Sequence, residues 1–235
     1  HNQDSGIFID CTRATQNISW YGEIKLHDQI IKIDSFKGTR DRSWGLRPIG
    51  NKDNKETKHT EAPQFYWIWT PMNFPNHCIF YHRNDDSLGK SWNCRAVVDN
   101  LEENSRLEIT SPKIEIDYKK NTRRINGLKI KLEDAELEFI PGRVFYMQGL
   151  GYTHPEWGHG NNHGKLEVGF DIIDLDKAES ELAKGLIHNL HIQTLSKIKF
   201  KTPEIFITGQ GVIEQLFIGR HKPSGFEGIL DRIIE

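Results

Sequence analysis

A chain of 235 residues with 31 basic and 33 acidic side chains, formal charge −2, is long enough to bury a core without disulfide staples. At 36% hydrophobic, 27% charged and 10% aromatic it excludes a disordered chain, and with no basic run interleaved with aromatics it excludes nucleic acid as an expected partner. No apolar run approaches the roughly 20 residues a membrane-spanning helix needs, and HNQDSGIFID has neither the charged start nor the apolar middle of a signal peptide, so the expectation is a soluble, cytoplasmic chain without a transmembrane segment.

Because the first residue is His1, a trimmed chain, a processed product and the later part of a longer protein all stay open. Cys11, Cys78 and Cys94 are odd in number, far apart and lack a C-x-x-C spacing, which predicts isolated buried thiols and neither a disulfide framework nor a zinc knuckle. Nothing in the residues fixes an oligomeric state.

In chain order, the first strand-like run is Gly22 to Ile33, followed by the charged segment Arg40 to Arg47 and a polar loop over Gly50 to Ala62. Strands are predicted at Phe65 to Thr70, Cys78 to His82 and Trp92 to Val98, with Asp85-Asp86-Ser87 as a turn. Ile114, Ile116 and Tyr118 alternate with charges in KIEIDY, and Leu128, Ile130 and Leu132 do the same in GLKIKLE. Asn126-Gly127 and Pro141-Gly142 are predicted turns on either side of a strand at Glu136 to Ile140. Further strands follow at Lys165 to Ile173, His191 to Phe200 and Gly211 to Ile218. The single helix candidate is Asp176 to Leu190, where Leu182, Leu186 and Leu190 recur every fourth residue and Gly185 weakens the run.

Many short strands at regular spacing predict a mainly β fold, an antiparallel barrel or sandwich with at most one short helix. Two portions are expected, 1–140 with RDRSWG and 141–235 with HPEWGHG and GQGVIEQ, packed as one unit.

Two segments concentrate chemistry and are read as one site. In Arg40-Asp41-Arg42-Ser43-Trp44-Gly45-Leu46-Arg47, an extended backbone puts Arg40, Arg42 and Trp44 on one face and Asp41 and Ser43 on the other. Its plain alternative is an Arg–Asp ion-pair corner with Trp44 as a plug. The run Tyr152 to His163 holds His154, Glu156, Trp157 and His159 among glycines. Pro155 and Gly158 rule out the helix a zinc protease needs, so the histidines and Glu156 are read as a hydrogen-bonded network and not as a metal site. Glu156 beside Trp157 suits a carboxyl kept protonated by an apolar wall, as proton delivery requires.

A third element, Gly209 to Gln215, sets Glu214 in an apolar strand on the same face as Val212, where an inward carboxylate needs a partner such as an arginine of the first segment and a wet edge position is the equal alternative. In Phe65-Tyr66-Trp67-Ile68-Trp69, Trp67 and Trp69 share a face and either fill a core or wall a pocket for an apolar ligand.

The order RDRSWG-x-R, GLGYTHPEWGHG, GQGVIEQLFIG and PSGFEG resembles bacterial relatives of the carotenoid 1,2-hydratase and AttH-like group over nearly the whole chain. That resemblance implies paired lipocalin-like β-barrel halves, with this chain similar to the later portion and a preceding portion expected elsewhere. It implies acid-base chemistry on an apolar, unsaturated terpenoid, carotenoid or lipid-like molecule, without a cofactor. It marks Asp41, Arg42, Trp44 and Arg47 in one motif and His154, Glu156, Trp157 and His159 in the other. Arg42 departs from the group's pattern, where a histidine is expected.

The resulting expectation is a hydratase-, dehydratase- or cyclase-type lyase or isomerase. Glu156 or Asp41 serves as proton donor with His154 and His159 orienting water. Arg42 and Arg47 tune the carboxylates, and Trp44, Trp67, Trp69, Trp157, Tyr152, His163 and Glu214 contact the substrate. The alternative is a lipocalin-like carrier of a hydrophobic ligand.

Overall fold

The computed structural model describes residues 2–3, 6–7, 10–46, 64–147, 162–170, 172, 174–176, 191–229 and 231. In chain order its strands are β1 (Asn2–Gln3), β2 (Gly6–Ile7), β3 (Asp10–Leu26), β4 (Gln29–Leu46), β5 (Phe65–Asn73), β6 (His77–Asp85) and β7 (Ser91–Asn100). Then come β8 (Ser105–Thr110), β9 (Lys113–Tyr118), β10 (Ile125–Leu132), β11 (Ala135–Tyr146), β12 (His191–Lys201) and β13 (Phe206–Ile218). β1 and β2 form a minimal hairpin, β3 and β4 a long two-stranded ribbon, and the other nine one antiparallel sheet in the order β8-β7-β6-β5-β13-β12-β11-β10-β9. Strands from both sequence portions thus share that sheet.

Its curvature follows from connectivity. Laid flat, nine strands put β8 and β9 about 38 Å apart, yet only Ser111 and Pro112 join them, a link of at most about 11 Å. The sheet therefore curls into an antiparallel half-barrel, and the fold is mainly β and lipocalin-like. Ser111 takes a positive φ at this corner, and its amide donates to the Cys94 carbonyl.

Alternation decides what fills the curl. Ile68, Ile79, Leu128, Ile130, Ile198 and Ile213 are fully buried on the inner face, so the interior is a packed and mainly apolar core. Gln215 crosses it, accepting from the Ile125 amide and donating to the Arg123 carbonyl, both at 2.8 Å. The Arg123 guanidinium stacks over Phe226 and donates to the carbonyls of Gly219, Gly228 and Asp231 and to the Asp231 carboxylate, anchoring the segment after β13.

The two predicted glycine turns prove to be strand irregularities. Asn126-Gly127 lies in β10 at a register shift opposite β9, and Pro141-Gly142 lies in β11 at a shift opposite β12. The run from Gly22 to Ile33 contains a turn, His27-Asp28, with His27 at φ 51°. Residues 165–170 are not a strand: Leu166, Val168 and Phe170 alternate but stand about 80% exposed, with no partner strand among the described residues. The expected turn at Asp85-Asp86-Ser87 is present, the Asp86 side chain accepting from the Leu88 and Lys90 amides. The three cysteines are half-buried and form no disulfide among the described residues. The loop 50–62 and, beyond Asp176, the helix candidate 176–190 lie outside the described residues.

Gly211 permits close approach of β13 to β5. A Cβ there would meet the Pro71 carbonyl oxygen and, at 2.8 Å, the Ile198 Cδ1. Gly211→Ala is expected to destabilise the fold by about 1–3 kcal/mol, read as a lower midpoint in urea unfolding.

Candidate functional site

The outer face of the central strands carries Glu214, His191 and Gln193 beside Trp67 and Trp69. Register places Trp69 opposite Glu214 and Glu214 opposite Gln193, with Trp67, Leu216 and His191 in the adjacent row. Toward the other end of these strands lie Pro71, Val212 and Leu195, and then Gln210 and Lys197. The β3–β4 ribbon packs over this floor. The Asn17 amide donates to the Met72 carbonyl at 2.7 Å, and the Arg13 guanidinium sits 5.6 Å from the Trp67 ring centre. Between ribbon and sheet is a cleft of about 980 Å³, the size of a small-molecule site.

At its floor, Glu214 is buried at 7% exposure. Its Oε1 lies 2.9 Å from His191 Nε2, and its Oε2 accepts from Gln193 Nε2 at 2.5 Å. The partner expected for Glu214 was an arginine of the first segment; the structure supplies a histidine and a glutamine from the neighbouring strand. Glu214 lines the cleft, whose walls include Trp67 and Trp69, with the His191 imidazole hydrogen-bonded to its carboxylate, and a carboxylate next to an imidazole is a combination used for proton transfer.

Asp41 lines the ribbon side of the same cleft. Thr15 Oγ1 donates to it at 2.9 Å and Arg13 Nε lies 3.6 Å away, so its cation comes from β3 and not from Arg40 or Arg42. The predicted alternation holds: Thr39 and Asp41 face the cleft, whereas Arg42 and Trp44 lie outside its lining, Trp44 at 55% exposure. His82, beside Trp69 on β6, donates from Nε2 to the Asn93 Oδ1 at 2.8 Å. Burial, with help from the nearby Arg95 and Arg13 charges, lowers its pKa and favours the neutral ring.

Of the second segment, Tyr152, His154, Glu156, Trp157 and His159 lie outside the described residues, as does Arg47. His163 is described, half-buried, and is not part of the cleft lining. Arg13, His191 and Gln193 are the site residues that sequence reading passed over. Among the described residues no three His, Cys, Asp or Glu side chains converge on a metal position, and no helix is long and apolar enough to cross a membrane.

Fold and site together define a lipocalin-like half-barrel with a hydrogen-bonded Glu214–His191 contact at an aromatic-walled cleft on the outer face of its sheet. A family model matches residues 1–227, and the chain belongs to that family, described as a family of unknown function, DUF8625. Similar solved structures include kievitone hydratase from Nectria haematococca, at 13% identity and TM-score 0.49, covering 87% of this chain and 53% of that one. A provisionally assigned AttH from Nitrosomonas europaea is similar at 11% identity and TM-score 0.46, covering 88% and 52%. The chain spans about half the length of each. The second carries the AttH name, that of the group which the sequence motifs resemble. No curated protein matches in sequence.

Proposed function

We propose that the chain provides the acid–base half of a cofactor-independent lyase or isomerase acting on an apolar, unsaturated small molecule. The observation that carries this reading is the buried Glu214 carboxylate, hydrogen-bonded to His191, lining a tryptophan-walled cleft. A carrier needs the apolar walls but gains nothing from a buried carboxylate, whose desolvation costs stability. In the forward direction the acid adds a proton to one carbon of a double bond, and the tryptophan faces stabilise the cation left on the other carbon. Water attacks that carbon, and the proton it releases returns to the base. Dehydration is the reverse, and proton loss without water gives isomerisation.

Glu156, with His154 and His159, remains the proposed second carboxylate–imidazole set. Its segment continues directly from Met147, which lines the cleft. Asp41, held by Arg13, fits a role in orienting water from the ribbon side.

The test is incubation with a panel of apolar alkenes in deuterated water, followed by mass spectrometry. The expected result is deuterium on a former double-bond carbon of at least one bound compound. Compounds that bind and come back unlabelled and unhydrated would instead make the protein a carrier.

A further inference from the structure

The chain is acidic overall, but its cleft is not. Among the described residues, Arg13, Lys37, Arg143 and Lys197 line it against Asp41 and Glu214, in a chain of formal charge −2. Both carboxylates already have partners, Arg13 for Asp41 and His191 for Glu214. Lys37 donates to Ser19 Oγ at 2.9 Å. Lys197 and Arg143 make no ion pair or hydrogen bond among the described residues. Two cations therefore stand at the cleft without a counter-ion among the described residues, and their field extends into it.

Their position is as informative as their charge. Lys197 lies on β12 four residues beyond Gln193, the residue opposite Glu214, which is roughly 13 Å along a strand. Between them on the same face is Leu195, opposite Val212. Arg143 belongs to the β11 irregularity, whose Gly142 abuts the Leu195 carbonyl. The floor thus reads in sequence as acid–base pair, apolar strip, cation.

Resting on the lyase or isomerase reading, we propose that the substrate is an anionic amphiphile. Its carboxylate, sulfonate, phosphate or phenolate head is held by Lys197 and Arg143, and its unsaturated bond lies over the Glu214–His191 pair. Lys197 and Arg143 are then specificity-determining residues and take no part in proton transfer. The cation pair also fixes which end of an elongated molecule reaches Glu214, which an apolar cleft alone does not.

Two fluorescent probes with the same aromatic body isolate the head group: N-phenyl-1-naphthylamine, which is neutral, and 1-anilinonaphthalene-8-sulfonate, which is anionic. The sulfonate is expected to bind about tenfold tighter, a difference of about 1.4 kcal/mol, and to lose that advantage as ionic strength rises. In the double variant Lys197→Gln/Arg143→Gln the two probes are expected to bind alike, with the neutral probe's affinity unchanged within about twofold. Equal binding in the unmodified protein, or a sulfonate preference that survives the double variant, overturns the anionic head group while leaving the apolar cleft intact. If neither probe binds, the cleft is not a ligand site, and this proposal falls together with the reading beneath it.

Discussion

Asp85→Asn is expected to lower the unfolding free energy by about 3–5 kcal/mol at neutral pH and to remove most of the acid sensitivity of the fold. The Asp85 carboxylate is buried. It accepts from Arg83 Nε at 2.8 and 2.9 Å and from Ser91 Oγ at 2.6 Å, and lies 3.2 Å from His221 Nε2. Burial pushes its pKa up, but the bonds from His221, Ser91 and Arg83 more than reverse this and hold the carboxyl below its usual range.

The sign of the pH effect follows. A carboxyl whose folded pKa is below its unfolded value of about 3.9 stabilises fully above that value and loses its contribution as pH falls through the folded pKa. The unmodified protein therefore loses stability below about pH 4, whereas the Asn variant begins lower and loses less. At about 2–4 °C per kcal/mol for a chain of this size, the neutral-pH deficit reads as a drop of roughly 6–20 °C in Tm by circular dichroism. Parallel losses in the two proteins down to acid pH would show that another group titrates.

The effect is large because Asp85 terminates a chain of hydroxyls. Tyr66 and Tyr118 meet at 2.9 Å, Tyr118 reaches Ser224 Oγ at 2.6 Å, and Ser224 reaches His221 Nδ1 at 2.7 Å. With Asp85 ionised, each member donates one bond toward it, from Tyr66 through to the His221 N–H. Burial raises the pKa of both tyrosines, keeping their hydroxyls protonated as donors. The chain links β5, β6 and β9 to the Lys222–Ser224 turn, so a single neutralisation is felt across the half-barrel.

Much of this fold is legible in the sequence because period-two alternation is a local property. Ile114 with Ile116, Leu128 with Ile130, Trp67 with Trp69 and Val212 with Glu214 each share a face as their spacing requires. What is not legible depends on register. His191 matters because it lies one rung from Gln193, the residue opposite Glu214, a pairing between positions more than twenty apart that no local pattern encodes.

Arg123 sits in the run KKNTRRIN, which reads as solvated charge. It is buried only because carbonyls of residues 217–231 converge on it. Glycine at 127 and 142 signals a departure from regular strand but not its kind, and here the departure is an irregularity within a strand instead of a turn. The alternation of Leu166, Val168 and Phe170 shows the converse: a strand pattern with no partner strand among the described residues makes no strand.

Glu214→Gln separates chemistry from architecture at the cleft. The side chains are nearly isosteric, so Gln193 still finds a carbonyl oxygen to donate to, and a neutral ring tautomer of His191 still finds a partner. Folding and ligand affinity are therefore expected to change little, the latter within a few-fold. The carboxyl group beside His191 is gone, however, and general acid–base contributions of this kind are worth about 10²–10⁴ in rate. The expected result is a loss of that size in deuterium incorporation per unit time at saturating substrate, with KM nearly unchanged, the pattern of an interaction made only in the transition state. Glu156→Gln measured alongside assigns the two carboxylates. If Glu156 is the second acid–base group, its variant removes the opposite limb of the pH–rate profile from the one that Glu214→Gln removes. Full turnover in Glu214→Gln with a lowered Tm would make the Glu214–His191 pair a structural clasp between β12 and β13 and leave Glu156 or Asp41 to carry the chemistry.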